Sequence, residues 1–179
     1  MKNLFPFTLL LLLLVSACGE EDPITLSESD ITISGENLDF ATAFVSYANI
    51  EPPGASRINL ELLGPGATFT AGGEITNTPT DRLRLRLVVP NTEGTFVSGT
   101  YPVSISLPTE SMYVTNGTLF PNFSATSQDF RVVETGSIEV TINNDRVTLT
   151  IDIGVSSDFG APPTERIIGT TELPLIIRP

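Results

Sequence analysis

Residues 138–153 constrain the fold most strongly. Ile138, Val140 and Ile142 alternate with Glu139 and Thr141, and Val147, Leu149, Ile151 and Ile153 alternate with Thr148, Thr150 and Asp152. Period-two alternation puts all the apolar side chains of a run on one face of a strand. Between the two runs lies Asn143-Asn144-Asp145-Arg146. A two-residue turn at Asn144-Asp145 pairs Ile142 with Val147, Val140 with Leu149 and Ile138 with Ile151, so both runs bury the same face. Asn and Asp tolerate the positive φ that such a turn requires. Turn chemistry and hydrophobic register therefore specify the same hairpin, and a one-residue slip would turn every apolar side chain to water.

The same grammar recurs upstream. In Arg82-Leu83-Arg84-Leu85-Arg86-Leu87-Val88-Val89, the leucines and Val89 fall on one face and the three arginines on the other. Ile58, Leu60 and Leu62 alternate around Asn59 and Glu61; Tyr101, Val103, Ile105 and Leu107 form another inward set. Further strands are expected near Phe40–Tyr47, Met112–Phe120 and Phe130–Val133, with a short one at Ile31–Ser34 and a long final one at Glu165–Ile177. No helical periodicity competes with these runs, which places the chain in the all-β class, as one antiparallel, mostly meander domain. Barrel and sandwich both remain open. Pro174 in the final strand and Pro102 in another are more at home on edges or strand ends than in a closed wall.

The N-terminus has a different character. Lys2 precedes a nearly unbroken apolar run from Leu4 to Val15, which ends at Val15-Ser16-Ala17-Cys18. The run is too short for the roughly 20 residues of a transmembrane helix and has the length of a signal-peptide core. Ser16 and Ala17 are the small residues a signal peptidase accepts, with cleavage expected between Ala17 and Cys18. This stretch resembles the lipobox of bacterial lipoproteins. The resemblance implies a signal peptide at residues 1–17, lipid on the Cys18 thiol, and a membrane partner reached through that lipid. Cys18 is the only cysteine, so lipidation also explains a thiol that has no disulfide partner. Glu20-Glu21-Asp22 resembles the acidic export tag of surface lipoproteins in Bacteroidota-type bacteria; a solvated tether explains the same residues. Residues 18–37 are expected to form the lipidated cysteine and a mostly flexible acidic tether, and residues 38–179 the β domain.

Charge narrows the partners. From Cys18 onward there are eight arginines and no lysine against 21 acidic residues, a formal charge of −13. Such a surface repels nucleic acid and anionic lipid. The chain has no histidine, which removes Ser-His-Asp and Cys-His catalysis and the common zinc sites. No glycine-rich loop opens a helix to hold phosphate. Glu139, Asp145, Asp152 and Asp158 are the candidates for paired-carboxylate chemistry, but on alternating strands they read as solvent-facing residues. No catalytic residue and no cofactor are expected. Asn143, Asp145 and Asp158 are weak candidate calcium ligands, being oxygen donors in loops that ordinary turn chemistry also accounts for. Arg82, Arg84 and Arg86 are a candidate face for an anionic ligand, against which stands internal pairing with carboxylates such as Glu61.

From Gly99-Thr100-Tyr101 through Gly136-Ser137-Ile138-Glu139-Val140 and Val147–Ile151 to Ile168-Gly169-Thr170, the order of strands and turns looks like small surface lipoproteins with a calycin-like antiparallel β domain. That resemblance covers residues 40–177 and favours the barrel. It implies an envelope protein at the outer membrane that serves as a non-catalytic binding or accessory module for a glycan, small ligand or protein. The other functional class is a structural or adhesin-like component of an envelope assembly. An interior cavity would favour the first, and an exposed apolar edge the second.

Overall fold

The computed structural model describes residues 29–50, 54–70, 75–77, 80–90, 95–104, 111–122 and 129–178. Among these residues there are ten strands and no helix: β1 (Thr32–Ile33), β2 (Glu36–Asn37), β3 (Thr42–Ile50), β4 (Ser56–Leu63), β5 (Arg82–Val89), β6 (Gly99–Pro102), β7 (Tyr113–Phe120), β8 (Arg131–Asn143), β9 (Arg146–Ser156) and β10 (Glu165–Arg178). All belong to one sheet. Strands β3, β4, β5, β7, β8, β9 and β10 pair in that order, and β10 then pairs with β3, closing a seven-stranded barrel. The molecule is an all-β barrel, not a sandwich.

One expectation needs correction: the barrel is not wholly antiparallel. Successive strands of the ring run up and down, and seven is an odd number. Its first and last strands must point the same way, so β10 meets β3 in parallel, from Ala43↔Leu175 to Ser46↔Arg178. The two prolines fit this closure. Pro102 is the last residue of β6. Pro174 forms the terminal pair of the β9–β10 ladder, opposite Arg146, just before the first pair with β3. Neither interrupts a ladder, because a residue without an N–H is tolerated at such ends.

The hairpin register at 138–151 is as expected: Ile142 pairs with Val147, Val140 with Leu149 and Ile138 with Ile151. Asn144 carries the positive φ, 56°. The runs at Phe130–Val133 and Ile138–Ile142, expected as separate strands, are two parts of the 13-residue β8. A register irregularity between Val133 and Thr135 and a φ of 103° at Gly136 bend it without ending it. Such a bulge re-aims a strand that turns a barrel corner. The strand expected from Tyr101 to Leu107 is seen as β6 over its first part; Ile105 and Leu107 lie outside the described residues.

The folded part also starts before residue 38. Ile31, Ile33 and Leu38 are core residues, and β1 pairs with β10 at Thr32↔Ile168 and Ile33↔Ile167. Gly169, at φ 143°, makes this possible: a Cβ there would clash with the carbonyl oxygen of Asp30. Within the segment 18–37, the described part from Ser29 onward therefore belongs to the barrel and is not a tether, with Asp30 and Ile31 crossing Gly169.

Inward side chains fill the barrel as one contiguous cluster that includes Leu60, Leu85, Val140, Leu149, Ile151 and Ile167, all at most 1% exposed. A barrel of about eight strands has an interior just wide enough for side chains to fill. Burying each such leucine or isoleucine contributes about 1.5–3 kcal/mol. Tyr101 lies in the same cluster and donates its hydroxyl to the Val97 carbonyl at 2.7 Å. Burial pushes its pKa up to about 12, against a smaller lowering by that hydrogen bond. Thr171 also points into the cluster's wall, 3% exposed, and its hydroxyl has no hydrogen-bond partner among the described residues.

These positions give two stability predictions, both read by urea denaturation. Leu149→Ala is expected to lose about 2–5 kcal/mol, whereas the exposed neighbour Thr150→Ala should stay within about 0.5 kcal/mol; equal losses would mean the register is wrong. Thr171→Val removes an unpaired buried hydroxyl at nearly constant volume, so it should raise the midpoint. A lowered midpoint would show that the hydroxyl has a partner.

Candidate functional site

Outward residues near the start of β10 form a groove of about 680 Å³. Its walls are the β1–β2 turn with Ser34 and Gly35, the bulged part of β8 with Thr135 and Gly136, the outer face of β9 with Asp152 and Gly154, and the loop into β10 with Pro163 and Thr164. Close packing at two glycines brings these walls together. Gly154 occupies an outward position where a Cβ would press on Thr135 Oγ1 and Pro163. At Gly136 a Cβ would clash with the Asp152 carbonyl oxygen. Glycine inside a strand marks such close approaches.

Ion pairs frame the groove. Arg166 donates from Nε and Nη2 to the two oxygens of Asp152, at 2.7 and 2.6 Å. These hydrogen bonds hold the Asp152 carboxyl below its ordinary pKa. Arg131 donates to Glu165 and to Asp129, and Ser34 donates to the other oxygen of Glu165 at 3.5 Å. The Glu165 carboxylate, and then that of Asp129, holds Arg131 more firmly protonated than usual. Ile168 adds one exposed apolar side chain. Polar and apolar surface line the groove in similar measure, with several hydroxyls, and its charge is locally neutral or acidic.

Of the residues singled out from the sequence, only Asp152 belongs to the groove. The arginine face resolves largely into internal pairing. Glu61 stands opposite Arg84 and is only 8% exposed. Its Oε2 accepts from Arg82 Nε and Nη2 at 2.9 and 2.7 Å, and its Oε1 from Arg84 Nε at 3.1 Å. Arg86 is exposed, with Asn59 and Asn116 as cross-strand neighbours. The calcium candidates are not brought together. Asn143 and Asp145 flank the β8–β9 turn, whereas Asp158 follows the far end of β9, about 33 Å away along a strand of that length. The same distance separates Asp145 from Asp158 as a carboxylate pair. Among the described residues, no group of three or more His, Cys, Asp or Glu side chains is placed to hold a metal. Ala17, Cys18, Glu20, Glu21 and Asp22 lie outside the described residues.

Two features were missed from the sequence. One is the groove itself, whose signal was the glycine at 136 and at 154 inside otherwise regular strands. The other is Asp81, 8% exposed, which joins three loops at one barrel end. Its Oδ2 accepts the Asp39 N–H at 3.0 Å, its Oδ1 accepts the Asn122 N–H at 2.9 Å, and its carbonyl accepts the Gly64 N–H at 2.8 Å. Its role is to satisfy backbone donors where strands end. No protein-family model, curated protein or solved structure matches the chain.

The arginine face yields a graded prediction. Arg82→Gln removes two bonds from a buried carboxylate and should cost about 1–3 kcal/mol in urea melts. Arg86→Gln should change stability by less than about 0.5 kcal/mol. Equal effects would put the Glu61 network in doubt.

Proposed function

We propose that this protein is a lipid-anchored lipoprotein of the bacterial outer membrane, displayed at the cell surface, that binds a ligand or partner without catalysis through the groove on the outside of its barrel. The observation that carries the binding reading is the contrast between inside and outside. The interior is filled with apolar side chains, whereas the outer face has a concave space of mixed polar and apolar lining, in the usual size range of ligand sites. Closure of the barrel also weighs against a structural or adhesin-like role working through long strand edges. The outermost paired strand on the β10 side, β2, is only two residues long, and such short edges template little.

The anchoring reading rests on Lys2, the apolar run Leu4–Val15 and Cys18, with Glu20-Glu21-Asp22 as the export signal. Ten residues separate Cys18 from Ser29, a reach of at most about 40 Å. Because the same chain then forms one wall of the groove, a ligand bound there would be held close to the membrane. Two or three acyl chains make such anchoring stable where one would be marginal.

Cys18→Ala should abolish incorporation of labelled fatty acid and release the protein from the membrane fraction. Retention of the variant through a high-salt wash would overturn the lipoprotein reading. In the same cells, replacing Glu20, Glu21 and Asp22 together with Ala should protect the protein from protease added to intact cells. Unchanged cleavage would reduce the acidic cluster to a tether.

A further inference from the structure

We infer that the ligand of the groove is a neutral carbohydrate, with one sugar ring lying against Phe159. The inference rests on the groove being the binding site. Phe159 is 80% exposed, yet its loop is tied down on both sides. Ser156 Oγ and the Ala161 N–H both donate to the Asp158 carbonyl. The Gly160 N–H donates to the Glu134 carboxylate at 2.7 Å, and the Thr164 N–H donates to the Val155 carbonyl at 2.9 Å. An apolar ring is thus held out in water by a loop with a defined shape, and that loop runs directly into Pro163 and Thr164 of the groove wall. Phe130, 43% exposed, lies two residues before Val132, whose ladder partner Ser156 begins the same loop.

The rest of the site selects the ligand class. An apolar ligand would strip water from Thr135, Thr164 and the Asp152–Arg166 pair without replacing their hydrogen bonds, which is costly. An anionic ligand would find no uncommitted cation, because Arg131 and Arg166 are already paired, and it would meet the charges of Glu134, Asp129 and Asp158. A neutral sugar satisfies both conditions. Each of its hydroxyls donates and accepts, as do the threonine hydroxyls, while Asp152 accepts and Arg166 donates in one plane. The C–H face of the ring is apolar and suits a phenyl surface, which otherwise stays exposed.

The test uses the full lipidated chain in detergent micelles. Affinity electrophoresis runs it through gels containing dextran, xylan, glucomannan or starch, and separately alginate, with polylysine binding followed by calorimetry. At least one neutral polysaccharide should retard the wild type and alginate should not. Phe159→Ala and Arg166→Ala should each weaken that retardation at least tenfold without moving the melting temperature, since both side chains are exposed. Retardation by no neutral polysaccharide, or retardation undiminished in Phe159→Ala, overturns the inference. Alginate binding lost in Arg166→Ala but kept in Phe159→Ala overturns the neutral class of ligand and leaves the groove as a site, as does polylysine binding that Asp152→Asn weakens and Phe159→Ala spares. Neutral-glycan binding that survives both variants removes the groove as well.

Discussion

The parallel seam between β3 and β10 is the contact on which the rest of the barrel depends. Six of the seven pairings in the ring are local in the sense that each strand meets its neighbour in the meander. The seventh joins Ala43–Ser46 to Leu175–Arg178, near opposite ends of the β domain. Parallel pairing is slightly weaker per residue than antiparallel pairing, and here it spans four residue pairs. What holds it is the apolar face it completes: Ala43, Val45 and Leu175 all enter the core cluster. Without the seam, β3 and β10 would become open edges and the cluster would face water along a full strand.

Closure and filling together leave the described concave space on the outer surface. A larger ring could hold a ligand inside; this one is occupied by its own leucines, isoleucines and valines. The groove is therefore on the outside, where a strand bends and neighbouring segments pack closely. The bulge in β8 and the glycine at 154 do this at one place, and the return of the chain through β1 and β2 raises a wall beside it. The Asp152–Arg166 pair is exposed and adds little stability, so its side chains can be exchanged without loss of the fold, whereas the Arg131–Glu165 pair is half-buried.

The sequence was most legible where two independent signals coincided. At 138–151, alternation on both strands and the Asn144-Asp145 turn demanded one register. At Arg82–Val89, the outward arginines and the outward Glu61 on the preceding run pointed to pairing. It was least legible where a signal had two meanings. Gly136 looks like punctuation between strands, yet it is a bend within β8 that allows close approach of β9. Asn143, Asp145 and Asp158 are near one another in sequence, but an 11-residue strand carries the chain to the other end of the barrel between them. Ile31 and Ile33 sit among acidic residues that read as a tether, and their burial depends on Gly169, a contact no local pattern encodes. The groove was hidden because its walls come from segments far apart in the chain, brought together by close packing at Gly136 and Gly154.

The crossing of Asp30 and Ile31 over Gly169 has a mechanical consequence under the proposed anchoring. Drag on the barrel would be transmitted through residues 19–28 and enter the fold at Ser29. From there the load meets Ile31 and Ile33, both locked in the core, and the antiparallel pairs of β1 with β10. A pull along the strand strains these bonds together in shear and does not open them one at a time. The force arrives on the first half of β10, whereas the seam that closes the barrel lies on its last four paired residues. One long strand thus serves as both mooring post and clasp, with the two duties placed at opposite ends.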